Sequence, residues 1–289
     1  MNWKITLLSL CIYLFCHSLM GQDLSIRFKA GLGFSQFLGD SEMVNGEEVE
    51  SFGFTNGFHL GLGLGIPFSD RFGARAMILY SQRGIAYEYE GPSYFIFDGP
   101  NNGLLPSLGG TRNMSLEVTN SYIEIPLTAY AKLGRVEFEG GAYAAFLVSS
   151  RGDGELIFSN PSANVEPITI SLDHDYYGDS FDRASNAETI SRVINGVPGT
   201  VPQTIGAYYE SIDNDERLYN LFDFGLTANV AFYLNAGLYI SAGLDYGLVD
   251  VTNNEQDLSI SELDENRAFI TREDVDQNLT VKASIGFSF

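Results

Sequence analysis

The final residues of the chain alternate strictly between apolar and polar side chains. In residues 277–289, QNLTVKASIGFSF, every second side chain from Leu279 to Phe289 is apolar, and the residues between them are small or polar. Successive side chains of a β-strand point to opposite faces, so a period of two predicts a strand with one apolar and one polar face. We expect this segment to be the closing strand of a β-sheet.

Seven earlier segments show a similar alternation and predict the rest of the sheet. Their ranges are 24–38, 56–66, 72–89, 116–133, 136–149, 221–234 and 238–249. Pro126 stands inside the fourth segment, and because proline cannot donate to a β-ladder we expect a bulge or a strand end there. Together with 277–289, the sequence predicts eight strands in a single domain.

Short turns and long loops alternate between these strands. The turns lie near 67–71, 133–136 and 234–237, and the loops cover 39–55, 90–115, 150–219 and 250–276. Most of the 37 acidic residues belong to the loops. This plan predicts an all-β fold: an eight-stranded antiparallel up-and-down transmembrane β-barrel with short periplasmic turns and long acidic extracellular loops.

The longest loop, 150–219, contains patterns of its own. Residues 155–159 and 167–172 are rich in apolar and β-branched side chains, and we expect them to form a small hairpin. Residues 184–194 are predicted to form a short helix.

The N-terminus has the features of a secretory signal. Lys4 precedes an apolar run, and small residues follow it before position 22. We expect residues 1–21 to be removed as a signal peptide, which leaves 22–289 as one barrel domain. The protein would then be exported through the inner membrane and reside in the cell outer membrane.

Composition excludes several functional classes. Cys11 and Cys16 lie inside the signal, so the mature chain is expected to use neither disulfides nor thiol catalysis. Loss of Lys4 changes the formal charge from −21 to −22, which repels phosphate backbones, and we expect no nucleic-acid partner. No later segment reaches the roughly 18 consecutive apolar residues of a spanning helix, so membrane insertion is expected only as a barrel.

A soluble, lipocalin-like barrel is the alternative fold, because it also has eight alternating strands, with the apolar residues inside. Three features favour the membrane barrel. They are the ending at Phe289, the long loops at one predicted rim, and a second strand face that carries charged side chains.

Charged residues on that second face are the candidate lumen residues. They are Arg27, Lys29, Arg75, Arg83, Glu124, Glu139, Asp223 and Asp245. An eight-stranded barrel is only wide enough for side chains to fill. These charges could line an ion-selective channel, or they could pair and plug the lumen. We expect the paired, structural network, because buried charges are tolerated only with partners.

Few residues could carry catalysis or bind a metal. His59 lies mid-strand and is expected to form hydrogen bonds in the lumen. His174, between two aspartates, could act as a base or as a weak metal ligand, but we expect it to be a solvated polar residue of the loop. Calcium could bind clustered oxygens in 173–179 or 213–216, but neither segment has the ligand spacing of an EF-hand loop. We therefore expect no catalytic, cofactor or metal site.

Four strand motifs and the signal ending resemble the PorT-like family, the small outer-membrane β-barrels of Bacteroidota. The motifs are Tyr122–Leu127 (YIEIPL), Gly140–Tyr143 (GGAY), Phe222–Gly225 (FDFG) and Asp245–Leu248 (DYGL), with Gly21-Gln22 at the signal. The resemblance implies an eight-stranded outer-membrane barrel; the family's namesake is an accessory of type IX secretion and gliding. In similar bacterial barrels the closing strand signals to the assembly machinery, which implies that role for Phe287 and Phe289.

The sequence thus predicts an integral outer-membrane barrel with a structural or interaction role, such as an accessory of protein secretion or envelope assembly. The expected partners are outer-membrane lipid, the barrel-assembly machinery and envelope or secretion-complex proteins. A small-solute or ion channel is the alternative. A loop-based hydrolase is the third hypothesis.

Overall fold

The structure is a computed structural model that describes residues 24–95, 108–160, 165–179, 188–194, 197–209 and 216–289. The expected signal peptide lies outside this part of the chain. The described strands are β1 (Ser25–Leu38), β2 (Met43–Val44), β3 (Glu47–Glu48), β4 (Glu50–Gly53), β5 (Thr55–Pro67), β6 (Phe72–Phe95), β7 (Leu108–Leu133), β8 (Val136–Asn160), β9 (Val165–Asp175), β10 (Thr189–Ile194), β11 (Val197–Pro202), β12 (Thr204–Ile205), β13 (Phe222–Tyr233), β14 (Leu238–Gly247) and β15 (Gln277–Ser288).

No helix among the described residues is long and apolar enough to cross a membrane.

Eight of the strands close into a ring in the order β8, β13, β14, β15, β1, β5, β6 and β7, and β7 returns to β8. Every pair in the ring is antiparallel. At the closure Phe28 lies opposite Phe287, and the backbone N–H of Phe289 donates to the carbonyl of Ile26 at 2.8 Å. The predicted antiparallel barrel is confirmed.

The outer face of the ring is apolar. Large apolar side chains point outward from its strands, among them Phe28, Leu32, Phe34, Leu60, Leu62, Leu64, Ile78, Ile123, Ile125, Leu127, Phe224, Leu226, Val230, Ile240, Leu244, Val281 and Ile285. The residues between them point inward and include buried charges such as Arg27 and Glu124. A soluble lipocalin-like barrel would have the reverse arrangement, so that alternative is wrong.

Strands β6, β7 and β8 continue beyond the predicted strand ends, so the predicted loops 90–115 and 150–219 are in part strand. The alternation persists there, but the apolar face changes sides. On β7 the outward residues are Asn113, Ser115 and Glu117, and the inward ones are Met114, Leu116 and Val118. A strand whose outward face is polar does not suit contact with lipid, so we infer that this segment extends beyond the membrane.

A register shift in the β7–β8 ladder marks the start of this extension. Tyr122 pairs with Leu147 and Ser121 pairs with Ser149, so β8 has one extra residue between them. The predicted bulge at Pro126 is therefore wrong in position, and β7 does not end there. Pro126 still affects the sheet, because the pairing of β6 with β7 is interrupted at this residue. On its other side, Pro126 remains paired with Tyr143 of β8.

The segments that cap the barrel include a hairpin and several short strands. The predicted hairpin is confirmed, since Leu156 of β8 pairs with Ile170 of β9. The predicted helix over 184–194 is wrong for its described part, because Ile190 of β10 pairs with Val201 of β11. β10 has the sequence TISRVI, and its β-branched residues favour a strand. Residues 250–276 are irregular apart from isolated bridges at Thr252 and at Leu258.

The extended strands enclose a second core at the end of the barrel opposite the short turns, which we call the outer end. Its buried members come from β1, β6, β7, β8, β9, β11 and β12 and from the segments between strands, and they include Leu116, Leu156, Ile170, Tyr176, Ile205, Tyr208 and Tyr219. This apolar core lies above the charged lumen. The molecule therefore has a lipid-facing barrel with a polar interior and an outer part with an apolar interior.

Candidate functional site

Two layers of paired charges fill the lumen. In the layer nearest the short turns, two arginines face two glutamates. Arg27 lies 2.8 Å from Glu137 and 3.0 Å from Glu139, and Arg75 lies 3.1 Å and 2.6 Å from the same two carboxylates. Tyr233 bridges them, because its hydroxyl accepts from Arg27 at 3.0 Å and donates to Glu137 at 3.2 Å.

The second layer lies at the centre of the barrel and is built around Arg83. This guanidinium lies 2.5 Å from Glu124, 2.8 Å from Asp223 and 3.2 Å from Asp245. Lys282 pairs with Glu124 at 3.1 Å and also with Asp245. Each of these five side chains is nearly inaccessible to solvent, so the ion pairs are within protein rather than at a wet surface.

Aromatic rings and hydroxyl groups also contact the charged side chains. The guanidinium of Arg27 lies 4.0 Å from the ring centre of Tyr239, and that of Arg83 lies 4.4 Å from the ring centre of Tyr143. The Tyr143 hydroxyl also donates to Asp223 at 3.1 Å. Such stacking is most favourable for desolvated cations.

The eight sequence-predicted lumen residues all point inward, but they do not form the network alone. Seven of them have ion pairs in the two layers. The eighth, Lys29, is buried and interacts electrostatically with Glu139 in one layer and Asp245 in the other, and it makes no ion pair among the described residues. Glu137 and Lys282 are members that the sequence prediction missed, although both occupy the polar face of their strands.

The charges of the network balance. Its cations are Arg27, Lys29, Arg75, Arg83 and Lys282, and its anions are Glu124, Glu137, Glu139, Asp223 and Asp245. The expected lumen hydrogen bond of His59 is also present, since its Nε2 lies 2.8 Å from the Ser284 hydroxyl. Side chains from all eight ring strands thus meet across the lumen.

A cavity of about 190 Å³ lies above this network, within the outer core. Its lining contains aromatic residues from separate parts of the chain, and charged residues on one side. The aromatic members include Phe37, Phe52, Tyr87, Tyr176 and Tyr219, and the acidic ones are Glu50, Asp257 and Asp276. No sequence motif predicted this cavity, because its walls come from seven or more distant segments.

The acidic side of the cavity is organised by Arg272. Its guanidinium lies 2.8 Å from Glu50, contacts Asp274, and lies 4.0 Å from Asp257. The carboxylate oxygens of Asp257, Asp274 and Asp276 lie within 4.8 Å of one another, a spacing at which three carboxylates can share one cation. Burial, with the nearby Asp274 carboxylate, raises the pKa of Asp257 to about 8 and that of Asp276 to about 7.

His174 lies on β9 and lines the cavity, so a solvated loop position for it is wrong. Its Nδ1 lies 2.8 Å from the Tyr176 hydroxyl, and burial lowers the pKa of the imidazole to about 4. Neither Asp173 nor Asp175 is its hydrogen-bond partner. His174 is therefore not oriented by a carboxylate in the way that a catalytic base would be.

The two calcium hypotheses have different outcomes. Residues 213–215 lie outside the described part of the chain. In the other segment, Asp175 Oδ1 accepts from the backbone N–H groups of Tyr177 and Gly178, and Asp179 Oδ2 accepts from those of Asp175 and Ala207. These carboxylates fix a turn and do not converge on a common point.

The predicted assembly residues lie on the outside of the ring. The Phe287 and Phe289 ring centres are 4.7 Å apart at the short-turn rim, and Phe289 is 77% exposed.

Among solved structures, the chain is similar to Ail, the attachment invasion locus protein of Yersinia pestis, crystallised with the heparin analogue sucrose octasulfate (11% identity, 92% of this chain and 99% of that chain, TM-score 0.35). It is also similar to the outer membrane protein OprG from Pseudomonas aeruginosa (11% identity, 93% of this chain and 97% of that chain, TM-score 0.33). A third similar structure is the outer membrane protease OmpT from Escherichia coli (8% identity, 92% of this chain and 96% of that chain, TM-score 0.36).

No curated protein matches the chain. A family model described as outer membrane protein beta-barrel domain matches residues 20–253, which is most of the sequence. This match agrees with the closed antiparallel ring, its apolar outer face and its charged interior. The chain belongs to the family of outer membrane protein beta-barrel domains, and it is an outer-membrane β-barrel protein.

Proposed function

We propose that this barrel does not conduct and instead anchors a folded outer part that contacts another component of the envelope, as an accessory of protein secretion or envelope assembly. The observation that carries the proposal is the extension of β6, β7 and β8 beyond the lipid, where they pack with β9 on a buried core. Flexible connections would need no such core.

The outward face of the extension offers a polar contact surface. Asp153 and Glu155 of β8 and Asp173 of β9 are exposed on it, next to Arg151. Polar and charged rims of this kind set the specificity and rate of association between proteins. A partner with a basic contact surface would complement them.

The channel alternative has less support. A conducting lumen needs a water-filled path, and here charged side chains from facing walls are within ion-pair distance in two layers. A conducting path would require these buried, paired charges to separate. The hydrolase hypothesis has no catalytic arrangement at His174 to support it.

Two further parts of the proposal come from the sequence. The strand motifs support a PorT-like subgroup within the family, and the exposed terminal aromatics support recognition of the closing strand by the barrel-assembly machinery. Both are consistent with an export signal in residues 1–21.

Affinity purification from native outer membranes in a mild non-ionic detergent tests the accessory role. The full chain should co-purify with defined envelope proteins in fixed stoichiometry, and the charge reversals Asp153→Lys and Glu155→Lys should remove them. The matched control is Arg71→Glu at the short-turn rim, which should retain the partners. A lone barrel from the unmodified protein would contradict the proposal.

A further inference from the structure

The outer cavity has the size of a small-molecule site. Its volume of about 190 Å³ exceeds that of engineered apolar cavities of about 150 Å³ that take up benzene. Rings from five separate segments border it: Phe37 of β1, Phe52 of β4, Tyr87 of β6, Tyr176 after β9 and Tyr219 before β13. A compact ligand in this space would be surrounded by aromatic faces and edges.

One wall of the cavity has more acidic than basic groups. Arg272 is the cation around which Glu50, Asp257 and Asp274 gather, so three carboxyl groups share one guanidinium. A fourth carboxyl group, that of Asp276, lies beside Asp257 and Asp274. The other arginine in the lining, Arg112, donates to the carbonyl of Tyr94. The acidic wall therefore has a local negative excess when its carboxyl groups are ionised.

Asp276 shows the excess most directly. It is 4% exposed, its Oδ2 accepts from the Thr252 hydroxyl at 3.0 Å, and its Oδ1 has no hydrogen-bond partner among the described residues. Burial, with the nearby Asp274 and Asp250 carboxylates, holds the pKa of Asp276 near 7. A buried carboxylate oxygen without a partner is costly, and a cation beside the Asp276 carboxyl group would lower the cost of ionising it.

We propose that the outer cavity binds a small organic cation, an ammonium group carried on a compact apolar body. The ammonium would lie at Asp257 and Asp276, and the body would lie among the aromatic rings, an environment that attracts organic cations. This site goes beyond the proposed contact surface and does not depend on a protein partner.

A divalent metal ion fits the wall less well. Calcium takes six to eight oxygen ligands, and the wall brings together three carboxylates. One of them, Asp274, is already in close contact with Arg272, which leaves Asp257 and Asp276 as the carboxylate ligands for such an ion. The aromatic lining has no role in binding a hard metal ion.

Calorimetric titration of the full chain in a maltoside detergent at pH 8 tests the site. The probes are benzylammonium, benzyl alcohol and benzoate, which have the same ring and differ in charge. Benzylammonium should bind at least tenfold more tightly than the other two. Its affinity should fall at least tenfold in Asp276→Asn and in Asp257→Asn, and stay unchanged in Glu273→Gln, an exposed residue of the same segment.

The pH dependence provides a second readout. Because the cation needs ionised carboxylates, benzylammonium affinity should rise between pH 6 and pH 8, as Asp257 and Asp276 lose protons beside Asp250, Asp274, Arg272 and Glu50. Equal binding of the three probes, preference for benzoate, or unchanged affinity in both asparagine variants would overturn the proposal. Displacement of benzylammonium by equimolar calcium chloride would also overturn it, in favour of a metal site.

Discussion

Arg83 Nη1 and Asp223 Oδ2 lie 2.8 Å apart at the centre of the barrel, although 140 residues separate them in the chain. The pair joins β6 to β13 across the lumen, and both side chains are almost fully buried. Glu124 and Asp245 bind the same guanidinium, so one arginine connects three other strands. This arrangement makes the interior of the barrel a structural element of the fold.

The Arg83→Met variant should destabilise the folded barrel by about 3–5 kcal/mol. Among the described residues, the substitution leaves Glu124 and Asp245 with Lys282 as their ion-pair partner and leaves Asp223 buried without one. Urea titration followed by circular dichroism, with gel mobility of the unheated protein as a second probe, measures the effect. The control is Arg135→Met at an exposed turn, which should change little; an equal loss in both variants would contradict a buried network.

An arginine introduced on the outward face of β7 should destabilise the barrel within the lipid-facing ring and not in the extension beyond it. Leu127 is 60% exposed on the outer face of the ring, and an arginine there should cost about 2–4 kcal/mol in lipid. Asn113 points outward from the extension, where an arginine should cost almost nothing. Folding of Leu127→Arg and Asn113→Arg into lipid vesicles compares the two, and similar losses would place the membrane boundary elsewhere.

The sequence was sufficient for the ring because each lipid-facing strand repeats one simple rule, apolar outward and polar inward. The extension was missed because the rule reverses there. Met114, Leu116 and Val118 still alternate with polar residues, but their partners, such as Ile170, come from a loop whose position the local pattern does not reveal. Alternation identifies a strand, and only the surroundings determine which face is buried.

The site was less predictable than the ring for the same reason. Charges such as Arg83 and Glu124 stand out on otherwise apolar strands, so their inward position followed from periodicity. Lys282 and Glu137 occupy equivalent positions on the polar faces of their strands, so the same periodicity places them inward. The outer cavity depends on irregular residues such as Asp276 and Thr252, which meet only after the chain has folded.

Acidification should loosen the outer sheet through His174. The folded pKa, about 4, lies below the ordinary value of 6.5 because the imidazole is buried, with opposing contributions from Asp179 and Asp173. The folded state therefore binds fewer protons than the unfolded state between these values, and stability is lost as the pH falls from 6.5 towards 4.

Hydrogen exchange in the β8–β9 hairpin at pH 7 and pH 4.5, corrected for the intrinsic rate, measures this effect. Protection should fall in the unmodified protein and change less in His174→Gln. The raised pKa values of Asp257 and Asp276 act in the opposite direction, but they are common to both proteins. An equal loss of protection in the variant would show that another group controls the transition.

Removal of the terminal aromatic should impair assembly. The Phe289→Ala variant should reach the outer membrane at a several-fold lower level, because the assembly machinery would no longer recognise the closing strand. Quantitative blotting of membrane fractions checks this. Phe72→Ala is the control, since Phe72 is another exposed aromatic of the ring; equal levels of the two variants would remove the special role of Phe289.

The proposal that the lumen does not conduct is tested most directly by recording from single copies of the purified barrel in planar bilayers. The two charge layers predict that the unmodified protein, inserted and correctly folded, gives no steady current steps over a range of voltages and salt concentrations. Reproducible ohmic steps from the unmodified protein would contradict the account and identify the barrel as a channel.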